Sequence, residues 1–201
     1  MLYKSWGKYL KPVVMIIPIA LFILAAPISF PIGDPEYLKG VQSRHPELME
    51  NRWEDGEIHD LPQDYADMLG WKELAEKVDL AYYKAPPDEY TIIICDNYGQ
   101  AGAINFYTKT KGLRAVTMNA DYVNWIDLSR EIKNVILVRE VEDGVSEREI
   151  SFFEKSEEIG TITDPNAREY GTIIQLLLGA KTDINGILAA EIEEKRAELR
   201  D

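Results

Sequence analysis

Two hydrophobic patterns divide this chain. Residues 12–30 contain no charged side chain, and apolar residues cover every side of a helix built from them. Beyond Asp34 the apolar residues come in short groups separated by turn formers. Residues 33–60 are polar, with Asp34-Pro35, His45-Pro46 and Asp55-Gly56, and predict a tether with a short helix or two. Tyr37, Leu38, Val41 and Leu48 are the residues able to pin it down. Leu61-Pro62 then opens a helix whose apolar positions, Tyr65, Met68, Leu69, Leu74, Val78 and Ala81, recur at helical steps. Gly70 marks a kink or break in it, with Trp71 beginning the next turn, and Pro86-Pro87 ends it.

Downstream, strand and helix patterns alternate. Residues 91–95 read as a strand, 101–110 as a helix with Gly112 as a stop signal, and 114–118 as a short second strand. Residues 121–131 are mixed, with Tyr122, Trp125 and Leu128 on one helical face. Residues 134–141 form a clear strand. Ser146 starts a helix, with Glu149 completing a capping box, and the pattern carries it through Phe152 and Phe153 toward Ile159. Residues 161–163 suit an edge strand before the Asp164-Pro165-Asn166 turn, and 171–178 form the last strand. Asp183 or Asn185 caps a final helix ending near Leu199. This alternation predicts an α/β fold, a Rossmann-like three-layer sandwich with a mostly parallel sheet. The unbroken apolar runs Ile92-Ile93-Ile94 and Val135-Ile136-Leu137-Val138 are those of strands buried on both faces. The expected organisation is a membrane anchor helix over 1–32, an extracytoplasmic tether over 33–60 and a soluble α/β domain over 61–201.

The apolar run is close to the ~20 residues needed to cross a bilayer. Pro18 and Pro27 are expected to kink or interrupt it. Lys4, Lys8 and Lys11 precede it and Asp34 and Glu36 follow it, which places the N-terminus in the cytoplasm and the body outside. Trp6, Tyr3 and Tyr9 suit an interfacial belt. A cleaved signal peptide is the rival reading; the run is long for one, and Pro27 directly after Ala25-Ala26 makes a poor cleavage context. Net charge is −13; without the three leading lysines, 19 basic residues face 35 acids, a balance of −16. Such a body repels phosphate backbones, so no nucleic-acid partner is expected. The bilayer is the expected partner.

Candidate chemistry is sparse. Cys95 is the sole cysteine, so neither an internal disulfide nor a cysteine-rich zinc site is possible. His45 and His59 lack metal-ligand spacing, and no metal or cofactor is expected. The segment Asn97-Tyr98-Gly99-Gln100-Ala101-Gly102 sits at a strand-to-helix turn, where amides are free to hold an anion or a sugar hydroxyl. Asn97 replaces the first glycine of a dinucleotide fingerprint, and no Gly-Lys-Ser/Thr follows, so both nucleotide motifs are excluded. A tight turn with close helix-on-sheet contact at Gly102 is the structural alternative. The candidate ligand residues are Asn97, Tyr98, Gly99, Gln100, Gly102 and Trp125. Trp71, Trp125, Tyr98 and Tyr122 suit either sugar stacking or core packing. Asp127, Asp164 and Glu169 are acids able to approach Asp96 and Asn97, but no spacing singles out a catalytic pair. No Gly-x-Ser-x-Gly elbow is present.

Four strings, Leu61-Pro62-Gln63 through Gly70-Trp71, Asp96-Asn97-Tyr98-Gly99-Gln100-Ala101-Gly102-Ala103, Tyr122-Val123-Asn124-Trp125 and Asp164-Pro165-Asn166-Ala167-Arg168-Glu169-Tyr170, carry a resemblance. Over residues 12–190 the chain resembles the C-terminal extracytoplasmic part, with the last membrane helix, of bacterial dolichyl-phosphate-mannose protein mannosyltransferase-like membrane glycosyltransferases, relatives of the aminoarabinose lipid A transferases. The resemblance implies sugar transfer from a polyprenyl-phosphate donor outside the cytoplasm by a bundle of membrane helices. That family's essential acids lie in an early loop, often with a divalent metal. No position here matches that loop, so no catalytic residue is carried over. The expected function is a non-catalytic domain of such an enzyme in the inner membrane, with the remaining bundle and a lipid-linked sugar or glycan acceptor as partners. The alternatives are a stand-alone membrane-anchored glycan-binding module and an independent α/β hydrolase.

Overall fold

The computed structural model describes residues 3–30, 33–44, 46 and 51–198. His45, Leu48 and Leu199 lie outside them. The chain divides into two compact units, residues 1–69 with 166–168, and residues 70–165 with 169–201.

In the first unit, helix α1 (Tyr3–Ser29) runs without interruption through Pro12, Pro18 and Pro27. Each interior proline removes one backbone donor, yet the remaining ladder holds the helix together. Within it Gly7–Ala26 is long and apolar enough to cross a membrane, and its large side chains from Val13 to Leu24 are exposed. Helix α2 (Pro35–Arg44) begins where Asp34 accepts a hydrogen bond from the Glu36 amide at 3.0 Å. Helix α3 (Gln63–Ala66) completes the unit. The stretch expected as a tether is pinned through Leu38, which is buried with Leu61 and Tyr65, while Tyr37 stays exposed. The Tyr65 hydroxyl donates to the Gly33 carbonyl at 2.8 Å. Trp53 stacks on His59 with ring centroids 3.7 Å apart, and His59 meets Asp55 at 2.7 Å. Arg168 returns to this unit, paired with Glu54 at 3.1 Å and Asp67 at 3.4 Å.

The second unit starts at Gly70, which adopts φ +81° and breaks the helical pattern where expected. Helix α4 (Trp71–Lys84) follows, then β1 (Tyr90–Cys95), α5 (Tyr98–Tyr107), β2 (Ala115–Thr117) and a 3₁₀ turn (Ala120–Trp125). Strand β3 (Ile132–Arg139), α6 (Glu147–Ser151), β4 (Phe153–Thr161), β5 (Ile173–Ala180) and α7 (Ile184–Glu198) complete it. The sheet order is β2-β1-β3-β5-β4. Pairings of β1 with β2 and β3 are parallel; those of β5 with β3 and β4 are antiparallel. The sheet is therefore mixed: β5 runs against the other four strands, which share one direction.

The strand that replaces an expected helix is β4. The capping box at Ser146 and Glu149 forms as expected, but α6 stops at Ser151. Its continuation, Glu154-Lys155-Ser156-Glu157-Glu158, is an exposed edge strand. Charge is how such edges avoid pairing with other chains, and it erases the apolar alternation that betrays a strand. Helix α5 likewise departs from expectation. It begins at Tyr98 rather than Ala101, capped by Asn97, and ends at Tyr107 rather than Thr110. Asp79 of α4 ends it, accepting the Thr108 hydroxyl at 2.6 Å and the Lys109 amide at 2.9 Å. Burial alone would raise the Asp79 carboxyl, but these donors outweigh it and hold it below its ordinary value. For the last helix Asp183 is the cap, bonding the Gly186 amide at 3.0 Å. Asn185 does something else: its amide clamps the Leu128 and Arg130 carbonyls and its oxygen receives the Ile132 amide.

Helices cover both faces of the sheet. Ile92, Ile94, Val135, Leu137 and Leu177 pack with Ile184 and Leu188 of α7. The alternate residues Ile93, Ile136 and Leu176 face the other way, toward α4 and α5. Gly171 shows how closely the loop before β5 is set. It has φ +84°, and a Cβ there would stand 2.5 Å from the Val141 side chain. Gly112 has φ +85° but open space around its Cβ position. Urea unfolding should therefore find Gly112→Ala less stable by about 1 kcal/mol, the left-handed penalty, and Gly171→Ala by about 3 kcal/mol, that penalty plus a clash.

Candidate functional site

The parallel half of the sheet, β2-β1-β3, presents its strand ends at Cys95, Thr117 and Arg139. Ligands of open α/β sheets bind there, in the crevice between neighbouring strands whose connections leave on opposite sides. Here the protein's own side chains fill the part of that crevice around Asn97. Asp96, just past β1, forms an ion pair through its Oδ1 with Arg139 Nη1, and its Oδ2 accepts the Glu140 amide at 2.7 Å. Arg139 extends its second nitrogen to Glu149 at 2.6 Å. Asn97 continues the closure: its Nδ2 donates to Glu140 at 2.7 Å and to Glu169 at 3.3 Å.

Gln100 lies beneath them with no solvent exposure. Its side-chain oxygen accepts the Asp96 amide at 3.1 Å, and its nitrogen donates to Glu169 at 2.7 Å. The Thr172 hydroxyl also donates to Glu169, at 3.0 Å. Asn97 Oδ1 caps α5 by accepting the Gln100 amide at 2.8 Å. A helix N-terminus attracts anions, and here Glu140 and Glu169 already stand beside it. The turn is thus a self-satisfied network, and an added anion would meet carboxylates.

The six candidate ligand residues separate accordingly. Asn97 and Gln100 are committed to the network. Gly99 is needed for packing, since a Cβ there would lie 3.3 Å from the Trp71 ring. Tyr98 is 62% exposed on the first turn of α5. Gly102 and Trp125 belong elsewhere, to the groove described below. The close contact expected at Gly102 is loose: a Cβ would meet only the Tyr122 hydroxyl, at 3.7 Å. Of the acids expected near Asn97, Glu169 is the one that arrives. Glu140 was not singled out, because nothing in its local sequence marks it; the parallel pairing of β1 and β3 brings it there. Cys95 is buried, and burial together with the Asp96 charge pushes its thiol well above its ordinary value, so it is no nucleophile. No cluster of metal-binding side chains occurs among the described residues.

An open groove of about 770 Å³ runs between α5, the segment leading into β2 and the 3₁₀ turn. Trp125 and Phe106 line it with 63% and 80% of their surface exposed. Tyr122 tilts against Trp125 with ring centroids 4.5 Å apart; in a 3₁₀ turn residues three apart share a face, which keeps the expected pair together. Tyr82 and Tyr90 add further rings, and Arg130 lies 4.4 Å over the centre of Tyr90. Burial and the nearby Asp127 raise the Tyr90 phenol, keeping it a hydroxyl. Asp127 itself is held low by the Ser129 hydroxyl and amide, the latter at 2.9 Å.

No family model, curated protein or solved structure matches this chain.

The groove and the network differ in what they leave unsatisfied. The network's polar atoms are spent on one another, whereas the groove exposes apolar rings to water. Arg114, on the approach to β2, also lines the groove and is exposed. Asn105 closes the nearby sheet edge, its amide bonding both the amide and the carbonyl of Ala115 at 2.8 Å. This protects the edge strand from pairing with another chain while leaving the rings accessible.

Proposed function

We propose that this chain is a non-catalytic, membrane-anchored domain that holds a sugar-containing ligand for a polytopic glycosyltransferase using a polyprenyl-phosphate-linked donor. The observation that carries the sugar-holding role is the groove with Trp125 and Phe106 exposed on its walls. The glycosyltransferase setting rests on the resemblance of the Leu61–Trp71 and Asp96–Ala103 strings and on the helix Gly7–Ala26, suited to a membrane bundle. In this reading the helix crosses the inner membrane, the three leading lysines lie in the cytoplasm and the α/β unit lies outside. The sheet is then a Rossmann-like sandwich altered on one side, where β5 alone runs against the other strands; helices on both faces and the parallel β2-β1-β3 half support that. The same groove serves a stand-alone glycan-binding module, the second reading. The hydrolase reading loses its motive, because both oxygens of Asp96 are engaged by Arg139 and the Glu140 amide.

The test is titration of the full chain in nanodiscs with soluble oligosaccharides, followed by tryptophan fluorescence. A saturable change is expected below about 10 mM, weakened about tenfold in Trp125→Ala and in Phe106→Ala. No change at that concentration, or wild-type binding by both variants, overturns the sugar-holding role. Co-purification with a membrane glycosyltransferase then separates the first reading from the stand-alone module.

A further inference from the structure

A second cavity, of about 260 Å³, lies on the opposite side of the Asp96–Arg139 pair from Asn97's carboxylates, beneath α7. Its floor is Ile94, Leu137 and Leu177 on the sheet, and its roof is Ile187 and Leu188 on α7. The space equals about nine waters at about 30 Å³ each, yet most of its walls offer water no partner. One end is different. There Asp96, Glu149 and Glu191 line the wall together with Arg139, while Arg148 and Glu194 stand just outside it.

The charges at that end do not balance. Arg139 is shared between Asp96 and Glu149. The second oxygen of Asp96 takes the Glu140 amide, and that of Glu149 takes the Ser146 amide and hydroxyl at 2.9 and 2.7 Å. Glu191 has no hydrogen-bond or ion-pair partner among the described residues. The mouth therefore carries a surplus of two negative charges beside an apolar chamber. An anionic ligand would be repelled, whereas Glu191, exposed at the rim, is placed to pair with a cationic group on a body that enters the chamber.

We infer that this cavity binds a small molecule with an apolar body and a protonated amine, the amine on Glu191 and the body between Leu137 and Leu188. Neutralising Glu191 removes its repulsion with Glu149 while the apolar body leaves water. The groups facing Glu191 are Arg139 on β3, Arg148 and Glu149 on α6, Glu194 on α7 and Asp96 after β1. Burial first, and then Glu149 and Glu194, raise the Glu191 carboxyl above its ordinary value against the pull of Arg139 and Arg148. Acid should therefore protonate Glu191 and weaken amine binding before ordinary carboxylates titrate. The site is independent of the aromatic groove, so either can fail without the other.

The test uses the full chain in nanodiscs with labelled Ile and Leu methyls, titrated with 2-phenylethylamine, 2-phenylethanol and 3-phenylpropionate. The amine is expected to shift the Ile94, Leu137 and Leu188 methyls, with the alcohol at least tenfold weaker and the acid inactive. Glu191→Gln, on an exposed helix position, should keep the fold and bring the amine down to the alcohol's affinity. Leu188→Phe, which fills the chamber, should weaken amine and alcohol alike. No shift of these methyls at 10 mM amine, equal affinity for amine and alcohol, or an amine preference that survives Glu191→Gln overturns the proposal.

Discussion

Arg139→Met should destabilise the α/β unit by about 3–5 kcal/mol, because it leaves two largely buried carboxylates with no cation between them. Asp96 is 13% exposed at its side chain and Glu149 33%, so solvent screens little of the loss at Asp96 and more of it at Glu149. Methionine matches the arginine stem in length, which separates the charge from the packing it supports. The effect should also depend on pH. Burial pushes the Glu149 carboxyl up, but the Ser146 hydroxyl and amide together with Arg139 hold it below its ordinary value. A depressed carboxyl contributes stability that is complete above its unfolded-state pKa and is lost as pH falls through the lower folded one. Wild type should therefore weaken in acid, below about pH 4.5. In Arg139→Met the guanidinium is gone while the Ser146 hydroxyl and amide remain, so the Glu149 carboxyl moves back up toward its ordinary value and less stability is lost in acid. The stability gap between the two proteins should narrow from pH 7 to pH 4 in urea unfolding of the full chain. A gap that is constant across this range would show that the pair acts through packing alone.

Glu169→Ala should cost about 3 kcal/mol, since three donors lose a buried charged acceptor at once. Gln100 and Thr172 donate to one oxygen of Glu169 and Asn97 to the other. Asn97 keeps Glu140 as a second acceptor, but Gln100 has no substitute for Glu169 within the network. Glu169→Gln is the informative companion. Its single oxygen can serve Gln100 and Thr172, while its amide faces the Asn97 donor, so roughly half of the alanine cost is expected. Equal losses in the two variants would mean that side-chain volume, not hydrogen bonding, sets the contribution. Because Asn97 caps α5 and Gln100 also receives the Asp96 amide, the alanine variant should loosen the first turn of α5 before the rest of the sheet. Hydrogen exchange at Gln100 and Ala101 would register that order.

The two variants probe the segment that was the strongest candidate for ligand contact in the sequence. Asn97, Gln100 and the strand before them were legible as a strand–turn–helix, because apolar runs, a cap residue and glycines each leave a local signature. Their use was not legible. Whether the Asn97 amide faces solvent, a ligand or a carboxylate depends on Glu140 and Glu169, which are 43 and 72 residues away. The same distance hid the aromatic groove, which joins α5, the lead into β2 and the 3₁₀ turn. Of its rings, Trp125 and Tyr122 were named for sugar stacking and Phe106 was not, although Phe106 is more exposed than Trp125.

What this sequence determines by itself is the local order of elements: an apolar helix at the N-terminus, a buried β1, the capping box of α6, the break at Gly70 and a cap for α7 at Asp183 or Asn185. These follow from side-chain periodicity, backbone restrictions and capping groups within a few residues of one another. Only the tertiary structure decided the direction of β5, the existence of β4, the early end of α5 at Asp79 and the meeting of Asp96 with Arg139. An exposed edge strand has no apolar face to announce it, and a carboxylate's partner is set by which strands lie side by side. Strand pairing across tens of residues is a property of the assembled sheet, and the chemistry at its strand ends is written there.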